Sequence, residues 1–161
     1  MKNIPLSQGQ FSNVDDDDFE KLSQYKWYAA YSKTSKSYYA ARTTTINGKR
    51  KNILMHREIL GVTNPNILVD HIDHNTLDNR KQNIRLATNS LIQGNSRKQS
   101  NNTSGLKGIS FLKRTGKWYS QIMINGKKNH LGYFDNAIDA AKAYNDAARK
   151  YFGEFALLNE I

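Results

Sequence analysis

The rhythm of apolar and polar positions changes three times along the chain. In KWYAAY and SYYAARTTTI, aromatic and β-branched residues crowd into short runs, the composition of strands that half-bury a pleated surface. Asn47-Gly48 follows, a dipeptide suited to a two-residue hairpin turn, and KRKNILM reads as the returning strand. Upstream, VDDDDFEKL predicts a short helix, N-capped by Asp15 or Asp16, that turns Phe19 and Leu22 inward. Downstream, MHREIL predicts a second short helix ended by Gly61.

A second rhythm starts near residue 67. ILVD is a short apolar strand, HIDHNTLDNRKQN a long polar loop and NIRLAT a second strand. Thr88 can cap a helix through TNSLIQGNS, which Gly94 is expected to shorten. SRKQSNNTSG has no apolar period and is the best candidate for a linker. Beyond it, LKGISFL, KWYSQIMI and KNHLGYF predict three strands, with turns at Thr115-Gly116 and Asn125-Gly126. A helix follows, with Ala137, Ala140, Ala141, Tyr144, Ala148 and Tyr151 on one stripe and Gly153 at its end. Alternation in KWYSQIMI puts Tyr119, Gln121 and Met123 on one face, and Trp118, Ser120, Ile122 and Ile124 on the other. The predicted organisation is α+β: a β-rich segment with short helices at 1–66, a strand–loop–strand–helix unit at 67–96, a linker at 97–104 and a sheet-and-helix module at 105–161.

Composition narrows the function. With no cysteine among 161 residues, disulfides and thiolate zinc sites are excluded. No apolar run approaches the roughly 18 residues of a membrane span, and MKNIPLSQGQ lacks a signal-peptide core. The expectation is a cytoplasmic protein, with no membrane and no obligate protein partner. Lys and Arg number 24 against 14 Asp and Glu, a formal net charge of +10. The excess is uneven: Arg97 to Phe134 holds eight Lys and Arg and no acid. One-signed segments of this kind suit a polyanion, because neutralising phosphates releases condensed counterions. Lys49, Arg50 and Lys51 either extend that grip or form a solvated hairpin tip.

VDHIDHNTLDN packs three Asp, two His and two Asn into eleven residues. Phosphodiester hydrolysis needs a group that deprotonates water near neutral pH, for which imidazole is best matched. It is helped by a hard divalent cation, which prefers carboxylate and carbonyl oxygens. Asp70 and His71 come where the strand ends, so both side chains can reach one site. An Asx-rich loop that merely bonds its own backbone has the same composition, and His74 reads as a solvated loop residue.

VDHIDHNTLDNRKQNIRLAT resembles the core of the HNH nucleases, particularly the phage and intron-encoded homing branch, whose fold is a small ββα-metal unit. The resemblance implies a DNA endonuclease in which Asp70 binds Mg2+ or Mn2+, His71 activates water and Asn83 braces the His-bearing loop. Asp73, Asn75 and Asn79 match positions that shape that loop. MHREIL resembles a segment preceding this core, which puts His56 and Arg57 near the site unless His56 only packs its helix. One departure stands out: the last HNH position, nine residues after Asn83, is Ile92, which has no lone pair for a metal. Asn89, one helical turn earlier on the same side, is the better substitute ligand.

From Asn102 to Asn159 the chain is similar to the plant Apetala/ethylene-response-factor DNA-binding domain, through KGI, GKW, LGYF, AAKAYNDAA and GEFALLN. That implies a three-stranded antiparallel sheet on one helix, its exposed face entering the major groove of double-stranded DNA. The corresponding positions are Lys107, Ser110, Lys113, Arg114, Lys117, Gln121, Met123, Lys128 and His130. Gln121 suits an adenine edge and the lysines suit phosphates. Ser110, Thr115, Met123 and His130 replace base-reading residues of the plant domains, so the plant target does not carry over. Trp118, Tyr133 and Phe134 are expected to pack inside. The reading is a metal-dependent HNH endonuclease that nicks one strand and carries a DNA-binding module. The alternative is a DNA-binding regulator with an impaired nuclease core.

Overall fold

A computed structural model describes residues 1–161. It is an α+β protein with several small sheets, and no helix is long and apolar enough to cross a membrane. The chain divides into two compact units, Met1–Leu86 and Ala87–Ile161.

In the first unit, β1 (Lys2–Pro5) and β2 (Phe11–Val14) form an antiparallel pair ahead of α1 (Asp16–Ser23). Pattern analysis missed these strands, because each is four residues long and Pro5 and a Ser/Gln/Gly turn interrupt the alternation. Asp15 stands at the N-cap of α1, but its side chain makes no cap bond. Its Oδ2 accepts instead from the Lys81 backbone N–H at 2.7 Å. Next come β3 (Tyr28–Ser32), β4 (Ser37–Ile46) and β5 (Lys49–Leu54), an antiparallel sheet in that order turning at Asn47-Gly48 as expected. Helix α2 (Met55–Ile59) follows directly, then β6 (Leu68–His71), which pairs with β7 (Ile84–Ala87). Ile4, Val14, Leu22, Trp27, Ala40 and Met55 make a small core. It is braced by Trp27 Nε1 donating to Leu22 O at 2.8 Å. The Arg42–Glu58 fork, at 2.9 and 3.1 Å, ties β4 to α2.

The second unit begins with α3 (Asn89–Asn95), capped as expected by the Thr88 side chain, which accepts from Leu91 N–H at 3.3 Å. Strands β8 (Ile109–Leu112), β9 (Lys117–Ile124) and β10 (Lys127–Phe134) form an antiparallel sheet with β9 central. One face packs on α4 (Ala137–Phe152) through Ile109, Ile122, Ala140, Ala141, Tyr144 and Ala148. The expected stripe is off by one residue at its end: Tyr151 is exposed and Phe152 is buried. Gly94 does not shorten α3. Phe152 fills the space beside it, and a Cβ there would meet the ring at 2.6 Å.

Gly108 precedes β8 with φ +76, and a Cβ would lie 2.4 Å from both Gln121 O and the Tyr144 ring. Left-handed strain and overpacking add, so Gly108→Ala is expected to destabilise this unit by about 2–5 kcal/mol. With one tryptophan in each unit, urea unfolding followed by Trp118 fluorescence in a Trp27→Phe background reads this directly. An unchanged midpoint would mean the close approach is not enforced.

Candidate active site and nucleic-acid interface

Strand β6 ends at His71, so Asp70 and His71 close it together, 8% and 5% exposed. The His71 ring nitrogen Nε2 lies 3.1 Å from Asn79 Oδ1. Asn79 is fully buried, and its Nδ2 donates to Ser12 Oγ at 2.7 Å and faces Met55 Sδ at 3.7 Å. That fixes which end of the amide meets the imidazole. A carbonyl oxygen only accepts, so Nε2 carries the proton and Nδ1 carries the lone pair of the neutral ring. Burial pushes the His71 imidazole below its ordinary value of 6.5, outweighing Asn79 and the nearby Asp70, Asp73 and Asp78, which push it up. The ring is therefore a neutral base at physiological pH.

Two further rings surround it. His56 meets His71 edge-on with centroids 5.1 Å apart, and Tyr39 contacts His56 at 5.8 Å and His71 at 6.1 Å. His56 is buried, and its Nδ1 has no hydrogen-bond partner. Burial above all, then the charges of His71 and Arg57, lowers its pKa to about 3. Arg57 is occupied at the end of its own segment, donating to Ile67 O and Asn64 O at 2.7 Å each.

The loop after His71 is held from inside by Asn83. Its Oδ1 accepts from Asp73 N–H at 3.1 Å, its Nδ2 donates to Asp78 O at 2.9 Å and its carbonyl accepts from Ile72 N–H at 2.9 Å. Asp73 and Asn75 cap successive turns by accepting from Asn75 N–H and Leu77 N–H. Strand β2 stitches the far side through Asn13, which donates to Leu77 O and accepts from Asn79 N–H, both at 2.9 Å. Arg80 forks onto Asp78 and holds that carboxyl below its usual range.

Sequence reasoning overlooked Arg85. Its Nε and Nη2 both donate to Asp70 Oδ2, at 3.1 and 3.0 Å. Arg85 stands on β7, the strand that pairs with β6, on which Asp70 stands. Asn79, foreseen only as a loop-shaping residue, is the direct partner of the imidazole, and Ser12 and Met55 were not anticipated at all.

A resident divalent cation was expected at Asp70 and Asn89. Magnesium wants several oxygen ligands in near-octahedral array. No three His, Asp or Glu side chains converge as a metal site, and Asp70 already neutralises Arg85. Ile92 packs against the second unit's core, and Asn89 lies exposed in the first turn of α3. In this arrangement the donor set does not fit a resident divalent ion.

In the second unit, strand register defines the sheet face turned away from α4. Ser110 stands opposite Tyr119, His130 opposite Gln121, Lys128 opposite Met123 and Tyr133 opposite Tyr119. Ser110, Lys113, Arg114, Lys128 and His130 are exposed, whereas Gln121 and Met123 are half-buried. Two expected phosphate contacts are otherwise engaged. The Lys107 ammonium donates to Gly94 O at 2.7 Å and Gln93 O at 3.3 Å, and burial lowers its pKa to about 8. Lys117 pairs with Asp135. Trp118 and Phe134 pack against the core as expected, but Tyr133 is 58% exposed. It joins His130 and Tyr119, which stack with centroids 4.9 Å apart, because the bulge between His130 and Gly132 shifts the alternation of β10.

No family model matches the chain, and no solved structure matches it. An uncharacterized HNH endonuclease of Acanthamoeba polyphaga mimivirus is 32% identical over 159 residues, covering 96% of this chain and 77% of that protein. Protein 3.8 of Escherichia phage T7 is 34% identical over 88 residues, 55% of this chain and 72% of its own length. The AP2-like ethylene-responsive transcription factor TOE2 of Arabidopsis thaliana is 44% identical over 59 residues, 37% of this chain but 12% of the plant protein. With the mimivirus protein matched along nearly all of this chain, the chain belongs to the HNH endonuclease family.

Proposed function

We propose that the protein is a DNA endonuclease that cuts phosphodiester bonds at His71 and uses its second unit to hold double-stranded DNA. The observation that supports the cutting most is the imidazole: neutral, buried, and fixed by Asn79 in the tautomer that leaves Nδ1 as base. His71 takes a proton from water as the hydroxide adds to phosphorus; the bond to the 3′ oxygen breaks and solvent protonates that oxygen. Asn83 and Asn79 keep the loop and ring from drifting. Mg2+ or Mn2+ is the cofactor the family reading brings, and the roles given to these side chains do not depend on it. One base serves one strand, so nicked circles are expected before linear product. The exposed sheet face with Lys128, together with Lys113 and Arg114 in the turn between β8 and β9, supplies the DNA grip.

A second reading, a DNA-binding protein with an impaired core, is favoured by Ile92, which serves packing. Supercoiled-plasmid cleavage with Mg2+ or Mn2+, beside duplex binding at several salt concentrations, separates the two. Nicking that chelator abolishes supports the metal-dependent nuclease. Salt-sensitive duplex binding without cleavage in either metal leaves the regulator.

A further inference from the structure

Strand β8 pairs with only the first half of β9, residues 117–120. Just beyond, the Gln121 N–H donates to Gly108 O, and the sheet edge opens into a cleft of about 450 Å³. That is room for a ligand rather than a lone ion. Every charged side chain that lines the cleft is a cation: Arg97, Lys98, Lys107 and Lys128. Arg97, Lys98 and Lys128 are exposed, whereas Lys107 is half-buried. The Lys107 ammonium gives two of its three N–H bonds to Gly94 O and Gln93 O, and it lies 5.9 Å from the centre of the Tyr144 ring. Carbonyl dipoles and a ring face soften the cost of burial but carry no net charge. No carboxylate opposes the burial that lowers its pKa to about 8. What this cleft lacks is an anion.

Its position says which anion. Ser110, Gln121 and Lys128 line the cleft and also stand on the sheet face turned away from α4, so the two surfaces are continuous. Resting on the reading that this face holds double-stranded DNA, we propose that the cleft is a second seat for the same duplex. It takes the phosphodiester backbone of DNA lying on the sheet, with Lys107 inside and Arg97, Lys98 and Lys128 at the rim. Phosphate oxygens give the Lys107 ammonium the negative partner that its carbonyls do not supply. The polar stretch at 97–104 becomes part of the grip instead of a spacer. Because such contacts meet backbone and not base edges, the seat raises affinity for every duplex alike.

The chain has no cysteine, so a single one placed in the cleft reports on it cleanly. Thr103 lines the cleft and is exposed. In the full chain, Thr103→Cys is expected to react severalfold more slowly with a neutral maleimide once duplex DNA saturates the protein. Lys142→Cys, on α4, should keep its rate. Salt dependence supplies the second readout. Removing a phosphate contact lowers the slope of log affinity against log salt by about 0.9, so Arg97→Gln with Lys98→Gln should lower it by about 2. Lys142→Gln with Lys150→Gln removes the same charge from α4 and should leave the slope unchanged. Lys107→Met should cost about one contact more; should it not fold, the exposed pair decides. Duplex binding with Thr103→Cys unprotected, or with both double variants shifting the slope equally, overturns the cleft and spares the sheet-face grip. Protection by millimolar inorganic phosphate but not by duplex marks a free-anion site and overturns the DNA seat. A natural protein that binds no duplex at any salt concentration overturns the DNA-holding reading and the cleft with it.

Discussion

His71→Ala is expected to lower plasmid nicking by about 10²–10⁴-fold, the range a positioned general base supplies. Binding to duplex DNA should stay within a few-fold, because the proposed grip lies in the second unit and rests on phosphate contacts. The acid limb of the pH–rate profile adds a sign. His71 acts as a base only when neutral, and burial places its pKa below 6.5. Nicking should therefore persist as pH falls through 6.5 and fail at a lower value. Asn79→Ala supplies the control on geometry. It leaves the imidazole in place but removes the oxygen that receives Nε2–H, so the ring loses its fixed tautomer. That variant should keep residual nicking and shift the acid limb. Full activity in His71→Ala would sink the assignment of the base, and loss of DNA binding alongside activity would point to a folding defect instead.

How much of this was legible beforehand depends on which interactions are local in sequence. The strands β3 to β5 and β8 to β10 follow from short aromatic and β-branched runs with Asn-Gly turns, because the hairpin chemistry lies within a few residues. Asp70, His71 and Asn83 were visible as a spaced motif, and the Asp73 and Asn75 turns as Asx chemistry. What stayed hidden is long-range. Ser12 reaches Asn79 across 67 positions, and no period links them. The environment that neutralises His56 is assembled from β4, α2 and β6 and cannot be read from MHREIL alone. The neighbours Tyr133 and Phe134 look alike in sequence, but past the bulge at His130/Gly132 the pleat turns only Phe134 to the core and leaves Tyr133 exposed. Arg85 is the instructive miss: the metal motif drew attention to lone pairs, whereas the unassigned positive charge lay on the next strand.

Acidification is expected to unfold the first unit well before its carboxylates are neutralised. His56 has an ordinary pKa of 6.5 when the chain is unfolded and about 3 when it is folded, principally because burial disfavours the imidazolium. Between those values the unfolded chain binds more protons, so stability is full above pH 6.5 and declines as pH falls towards 3. The slope is about 1.4 kcal/mol per pH unit, so the whole window amounts to about 5 kcal/mol, comparable to the stability of a small domain. The groups facing His56 do not reverse the sign. Tyr39 of β4 offers a neutral ring, while His71 of β6 and Arg57 of α2 oppose a further positive charge. His71, also lowered by burial, adds loss in the same direction. Asp78 enters separately: Arg80 depresses its carboxyl, so its share is present above 3.8 and lost only below that. Urea midpoints read from Trp27 in a Trp118→Phe background at pH 7, 5 and 4 follow the imidazole window, which lies above the one Asp78 governs. His56→Phe, which keeps a ring but cannot titrate, should flatten the decline between pH 6.5 and 4 to the part His71 contributes. If His56→Phe loses stability over that range as steeply as the natural chain does, the buried imidazole is not the acid-labile element of the first unit.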